Sequence, residues 1–337
     1  MSNSVRRVFI ISLKTRQSIR LIKDLYLESV EYLSSPLIFS FIHYRDITNL
    51  KDLSIVEYFD FSYRRATVKP KRDDFFFFWE LGVEEEALHK KLSYLTVGFN
   101  QLNPYTISEN VSDKLWLHKR LKDAMPPYIC FPKGSVLQEI RRKLRDFESE
   151  DLVIVKPRKG TEGWGVRIFP IENLDALSEY VSKLCRGYDV ILEKFIRPSR
   201  SSCNFVVRIA SAFDGETFRA ESSFSILAGQ TEVASHLRGG RILSTYELFT
   251  QLGMNYNEFR HLIKVRSQQV SYTINRDMSE ENMLKYMGID LVFSDEKVFV
   301  IDVNPRPSGL QYLRSLENPE KICIFGNLHR YIYSSSK

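Results

Sequence analysis

Gly288-Ile289-Asp290-Leu291-Val292-Phe293, and then Val300-Ile301-Asp302-Val303-Asn304-Pro305-Arg306-Pro307, is the stretch on which the reading of this chain turns. Both runs are apolar and interrupted by an acid, and Ser294-Asp295-Glu296 lies between them. The pattern predicts a β-hairpin with strands over Gly288–Phe293 and Lys297–Val303. Side chains two apart on a strand share a face, so Asp302 lies beside Asn304, and antiparallel pairing can bring Asp290 to the same face. Two carboxylates and an amide oxygen in otherwise apolar strands are costly unless a cation neutralises them. A small set of oxygen ligands suits Mg²⁺ bridging nucleotide phosphates. The competing reading is local: Asp302 and Asn304 shape a turn ahead of Pro305.

Upstream, Val153-Ile154-Val155-Lys156-Pro157 runs through Arg158-Lys159 into Gly160-Thr161-Glu162-Gly163-Trp164-Gly165-Val166. An apolar strand ends in a lysine and re-enters a strand through three glycines. Glycines let backbone N–H groups converge on an anion without Cβ obstruction. Lys156 can add an ammonium to the same phosphates. The spacing is not that of a P-loop, and no helix follows. Such a hairpin also occurs as plain structure. Asp189-Val190-Ile191-Leu192-Glu193-Lys194-Phe195-Ile196 is an apolar strand that gives way to an acid. It can act as a hinge whose backbone reads an adenine edge, with Glu193 accepting from the exocyclic amine, or it is a buried strand with a surface Glu-Lys pair.

Composition sets the frame for these motifs. The chain has 337 residues, 43% hydrophobic and 27% charged, which is globular composition with about two domains as a prior. Its formal charge of +6 is too small and too dispersed to point to nucleic acid. Cys130, Cys185, Cys203 and Cys323 are scattered, with no zinc-type spacing, and read as reduced thiols of a cytoplasmic protein. The short apolar stretch Val8–Leu13 reads as a first strand rather than a signal peptide, and no run is long enough to span a membrane.

The first hundred residues alternate strand and helix signals: Val8–Leu13, then Arg16–Leu33 with Ile19, Leu21, Ile22, Leu25, Tyr26 and Val30 at helical spacing, then Leu37–Ile42. This predicts a parallel α/β layer. Ile55–Phe59 and Phe75–Trp79 read as further buried strands, Glu84–Leu92 as a helix and Asn100–Pro104 as a loop. Ser112 is the expected N-cap of a helix over Asp113–Lys122, ended by Met125-Pro126-Pro127. Ser135–Phe147 is an amphipathic helix whose Arg141, Arg142, Lys143 and Arg145 read as a solvated face. Phe205–Phe213 and Glu216–Leu227 flank Asp214-Gly215 as a hairpin. Asn257–Arg276 is a long helix, and Ile322–Ile332 a closing one.

In this order and at these spacings, Val111 to Gly309 resembles the ATP-grasp superfamily, and within it carboxylate–amine ligases such as the D-alanine–D-alanine ligases and the ribosomal-protein glutamate ligases. The resemblance implies an α/β (α+β) ATP-grasp fold with a small N-terminal pre-grasp domain at 1–110. The lysine and glycine-loop half then spans 111–187, and the C-terminal subdomain with hinge and metal site 188–337. It assigns Lys114, Lys156, Gly160, Gly163 and Gly165 to the ATP phosphates, Glu193, Lys194, Phe195 and Ile196 to adenine, and Asp290, Asp302 and Asn304 to magnesium. Asp302 stands where the family usually has glutamate, and Arg197–Asn204 offers no carboxylate for the ribose, with Asn204 as the nearest substitute.

Guanidinium groups suit a bidentate grip on carboxylate or phosphate. Arg208 interrupts an apolar strand, Arg238 and Arg241 bracket an R-G-G-type loop, and Arg306 follows the metal motif, so these four are the candidate catalytic residues. His236 has no required role, and Trp164 either shields the phosphates or packs. The activity implied is ATP-dependent joining of a carboxylate to an amine through an acyl phosphate. ATP and Mg²⁺ are the cofactors and an amino acid, peptide or protein tail is the substrate; paired subunits are common in the superfamily, and the sequence leaves the oligomeric state, a homodimer included, open. A phosphotransferase acting on a hydroxyl, or a nucleotide-binding module without turnover, are the alternatives.

Overall fold

The computed structural model describes residues 6–79, 86–147, 151–160, 163–198, 201, 203–229, 233–235, 238–294, 297–307, 313, 316 and 323–335. β1 (Arg7–Ser12), α1 (Thr15–Tyr32) and β2 (Ile38–His43) form the expected strand–helix–strand unit, with β1 and β2 parallel. Helical spacing lays Leu21, Ile22 and Leu25 on the sheet, whereas Val30 faces solvent. β3 (Leu53–Phe59) departs from the parallel expectation. It runs antiparallel to β2 and turns through Asp60 and Phe61, both at positive φ, into β4 (Ser62–Val68). β4 buries no residue, so it shows no apolar run. β5 (Phe75–Phe78) pairs parallel with β1, and each of its rings is at most 1% exposed. Each such ring contributes about 1.5–3 kcal/mol by burial. α2 (Glu86–Leu95) leads to β6 (Asn100–Gln101), a short strand within the expected loop, and the sheet order is β4-β3-β2-β1-β5-β6.

α3 (Tyr105–Ser112) and α4 (Lys114–Leu121) follow directly on one another. The expected cap is corrected by one residue: Ser112 ends α3, and Asp113 caps α4 by accepting from the Leu115 N–H at 2.9 Å. Next come β7 (Tyr128–Phe131), α5 (Leu137–Leu144), β8 (Leu152–Pro157), β9 (Arg167–Pro170), α6 (Leu174–Cys185) and β10 (Val190–Lys194). The strands pair antiparallel in the order β7-β10-β8-β9. α5 and α6 cover this sheet and supply Ile140, Leu144, Leu177 and Val181 to a core of its own. The basic side of α5 is solvated, with Arg141 reaching Asp175 of α6 at 2.5 Å.

β11 (Phe205–Phe213), β12 (Phe218–Leu227), β13 (Arg241–Ser244), α7 (Thr245–Gln251), α8 (Tyr256–Asn275), β14 (Tyr286–Ser294), β15 (Lys297–Asn304) and α9 (Leu328–Ser334) complete the chain. The third sheet runs β13-β12-β11-β14-β15, all antiparallel. Its core is continuous with that of the first sheet. Phe325 joins them, with ring centroids 5.5 Å from Phe77 and 5.1 Å from Tyr286. The fold thus has two packed bodies: the first and third sheets on one core, and the four-stranded sheet on another. Among the described residues no helix is long and apolar enough to cross a membrane, and none of the four cysteines forms a disulfide.

Candidate active site

The centre of the site is a row of side chains across three strands. In β14 and β15, Asp290 lies directly opposite Asp302 and Gly288 opposite Asn304. On the other side of β14, Arg208 of β11 lies opposite Asp290. The Arg208 guanidinium holds Asp290 in a fork, with Nε and Nη2 donating to its two oxygens at 2.6 and 2.7 Å. Burial lowers the Arg208 pKa, but the Asp290 and Asp302 carboxylates outweigh it and leave the guanidinium more basic than usual. Asn304 Nδ2 lies 3.4 Å from Asp290 Oδ2. Gly288 leaves room here, since a Cβ on it would stand 3.6 Å from Arg208 Cδ and 3.0 Å from Pro307 Cβ. The Asp302 side chain is 32% exposed and that of Asp290 9%, so Asp302 presents the open carboxylate.

A β-bulge decides how this row meets the lysines. Asp290 pairs with Asp302 but Leu291 with Val300, so Ile301 is the extra residue. Its carbonyl accepts from Lys156 Nζ at 3.4 Å. Lys156 arrives from β8 and is otherwise bound to Glu193 of β10 at 2.6 Å. Lys114 Nζ lies 4.0 Å from Asp302 Oδ2 and 3.2 Å from the Gly160 carbonyl. Both expected lysines therefore reach β15 at the acidic row, Lys114 at the Asp302 carboxylate and Lys156 at the Ile301 carbonyl.

The helix bearing Lys114 is fastened to the glycine hairpin. Asp113 accepts a forked pair from Arg158 at 2.7 and 2.6 Å, Arg158 also reaches Asp189 at 2.9 Å, and the Lys114 N–H donates to the Arg158 carbonyl at 3.2 Å. These contacts push the Arg158 pKa up and hold Asp113 below the usual carboxylate range despite burial. In the hairpin, Gly163 and Gly165 have φ of +73° and +67°, conformations that favour glycine. Thr161 and Glu162 lie outside the described residues, as does His236. Trp164 is exposed and meets the Tyr188 ring edge-on at 4.9 Å.

Glu193, read from the sequence as an adenine contact, lies between two basic side chains. Its carboxylate is fully buried, one oxygen on Lys156 and the other 3.0 Å from His118 Nε2. Burial raises its pKa, yet Lys156 and His118 outweigh that and bring it to about 2. The backbone N–H of Lys194 and of Phe195 are also engaged, donating to the Pro127 and Leu152 carbonyls at 2.9 and 3.0 Å, and Ile196 packs on Val206 and Val292.

The four arginines separate, and only Arg208 belongs to the acidic row. Arg238 donates to the Val166 carbonyl at 2.8 Å and so touches the glycine hairpin, while Arg241 is exposed on the edge strand β13 near Gln251. Arg306, a candidate catalytic residue from the sequence, lies in a buried network. Its guanidinium lies 2.7 Å from His89 Nδ1, 3.0 Å from Ser112 Oγ and 3.6 Å from Glu109. Burial and this cation hold the His89 imidazole neutral, its pKa well below normal. Lys159 of the hairpin bridges Glu86 and Glu109 at 3.3 Å each. Sequence reasoning missed His118, His89, Glu86, Glu109 and Lys159, because their partners lie far along the chain and no spacing announces them.

The donor set fits a hard divalent cation: two carboxylates and an amide oxygen, with cationic groups neutralising them in this state. No family model matches the sequence, and no curated protein does. Among solved structures, the chain is similar to D-cycloserine synthetase DcsG at 13% identity, with a TM-score of 0.65 over 97% of this chain and 99% of that one. It is similar to D-alanyl-alanine synthetase A from Vibrio cholerae at 12% identity and a TM-score of 0.60, over 99% and 100% of the two chains. It is also similar to ATP-grasp ligase PsnB complexed with Mg, ADP and a phosphomimetic variant of minimal precursor, at 14% identity and 0.57, over 99% of each chain. At such identities the likeness is one of fold. The architecture is an ATP-grasp fold.

Proposed function

We propose that this protein is an ATP-dependent ligase that joins a carboxylate to an amine through an acyl phosphate, with an amino acid or peptide among its substrates. The observation that supports this best is the convergence of Lys114 and Lys156 on the strand of Asp302, beside the cross-strand acid Asp290. In this reading residues 1–110 are the pre-grasp region, 111–187 the lysine and hairpin half, and 188–337 the half bearing the acidic row, with β10 reaching back into the middle sheet. Asp290, Asp302 and Asn304 would hold Mg²⁺, which supplies charge neutralisation between nucleotide phosphates.

The remaining work falls to the chain. Lys114, the third donor of Lys156 and the N–H groups of the glycine hairpin hold the phosphates in line. Glu193 fixes the Lys156 ammonium, and Lys194, Phe195 and Ile196 line the place of the adenine. Arg208 is the guanidinium placed to stabilise the oxyanion formed as the amine attacks. Arg306 positions α3 and, through Ser112, the start of α4 that carries Lys114. Arg238 steadies the hairpin, closure of which excludes water from the acyl phosphate.

Asp302→Ala is expected to lower ATP turnover roughly 10²-fold or more. The assay is ADP release over pools of amino acids and peptides, with mass spectrometry of the products. Full turnover in the variant would falsify the assignment. Hydroxylamine is expected to trap a hydroxamate, and a phosphorylated hydroxyl product with no hydroxamate would place the protein among phosphotransferases instead.

A further inference from the structure

Away from the acidic row, a cleft of about 700 Å³ opens where the end of α2 and β6 meet the residues leading into β14. Small-molecule sites have volumes of roughly 300–1,000 Å³. Lys285 lines this cleft and is 2% exposed. It precedes β14, and Asp290 lies about 16 Å further along the strand at an ordinary rise per residue. Among the described residues its ammonium makes one hydrogen bond, 3.3 Å to the Gln101 carbonyl, and it sits 5.8 Å from the Tyr331 ring centroid.

This is anomalous for the molecule. The other buried cations, Lys114, Lys156 and Arg306, each have a carboxylate within 4.0 Å. Lys285 has none at ion-pair distance among the described residues; Glu280 and Glu281 act on it only from further off, and burial brings it down to about 8. A buried ammonium with donors to spare calls for an anion. The cleft also sets limits on that anion. Glu280 and Glu281 balance Lys285 and Lys90 on its walls, so the lining has no excess positive charge to hold a polyanion, and Tyr94, Phe99 and Tyr105 give it aromatic surface.

We infer that this cleft is a second ligand site, separate from the acidic row, taking a small molecule with a single carboxylate, of amino-acid or short-peptide type, seated on the Lys285 ammonium. The inference does not depend on the proposed ligase activity. The test reads thermal midpoints of the full chain and of Lys285→Met with phenylacetate, alanylalanine and inorganic phosphate as probes. Methionine keeps the stem and removes an uncompensated charge, so the ligand-free variant is expected to be at least as stable as the parent. At least one carboxylate is expected to raise the parent's midpoint by several degrees and to leave the variant's unmoved, with phosphate moving neither. No shift in the parent, equal shifts in both proteins, or phosphate acting as the carboxylates do overturns the inference.

Discussion

Glu193 shows how much one side chain can be asked to do. It is buried between Lys156 and His118, and its carboxyl is held at about 2. Its folded value is depressed, so its contribution is complete above the unfolded value of 4.5 and is lost as pH falls through about 2. Removing the carboxylate leaves the Lys156 ammonium buried without its partner. Glu193→Ala is therefore expected to lower stability by about 3–5 kcal/mol, read as a drop in the urea midpoint at pH 7. Weakened ATP binding should accompany it, because Lys156 then loses its orientation; unchanged affinity would separate Lys156 from the nucleotide. The acidic row makes the same point. Asp302 and Asn304 were legible as a pair from strand periodicity alone, but the fork from Arg208 to Asp290 spans 82 positions of sequence and has no local signature.

Among the elements, the glycine hairpin and the β14–β15 hairpin carry the site. Gly165 has φ of +67°, and a Cβ there would come within 2.9 Å of Pro157 Cγ, in a ring that cannot rotate away. Gly165→Ala is expected to cost about 1–3 kcal/mol, with hydrogen exchange speeding up in β8 and β9. Gly187→Ala is the control: nothing lies within 4 Å of its Cβ position and no left-handed φ is involved, so stability should be unmoved. The β14–β15 hairpin could be read from sequence because both strands are apolar and bounded by turn residues. Its bulge could not, because placing Ile301 outside the ladder depends on which residue of β14 faces which of β15. β4 escaped for a different reason, having no buried face to set a period.

At the scale of the whole molecule, two cores meet across the site, and the C-terminal segment ties the larger body together. Glu28 of α1 accepts from the Ile324 and Gly326 N–H groups, and Glu221 of β12 accepts from the N–H and side-chain amide of Asn327, each at 3.0 Å. Burial raises the Glu221 carboxyl to about 7 against an ordinary 4.5. The folded protein then holds a proton that the unfolded chain releases, so stability falls as pH rises from about 4.5 to 7 and is level beyond. The loss amounts to about 3 kcal/mol at most. Glu221→Gln keeps an acceptor for Asn327 and is expected to raise the melting temperature at pH 8 and flatten that slope. An unaltered pH profile would show that Glu221 is not the group responsible. Lys159, bridging to Glu86 and Glu109 across the two bodies, is the clasp whose Lys159→Met variant should open the glycine hairpin to faster proteolysis.

Periodicity and turn chemistry in the sequence alone determined the first βαβ unit, the aromatic strand Phe75–Phe78, the glycine hairpin and the acid-bearing hairpin, since each is specified by neighbours a few residues apart. Only the tertiary structure decided that Glu193 binds Lys156 and His118, that Arg306 joins the α2–α3 network, and that Lys285 is buried with no carboxylate at ion-pair distance among the described residues. Those outcomes depend on which distant charges share a low-dielectric interior. Burial there makes each pairing, or its absence, worth several kcal/mol, and the linear order of residues carries no record of it.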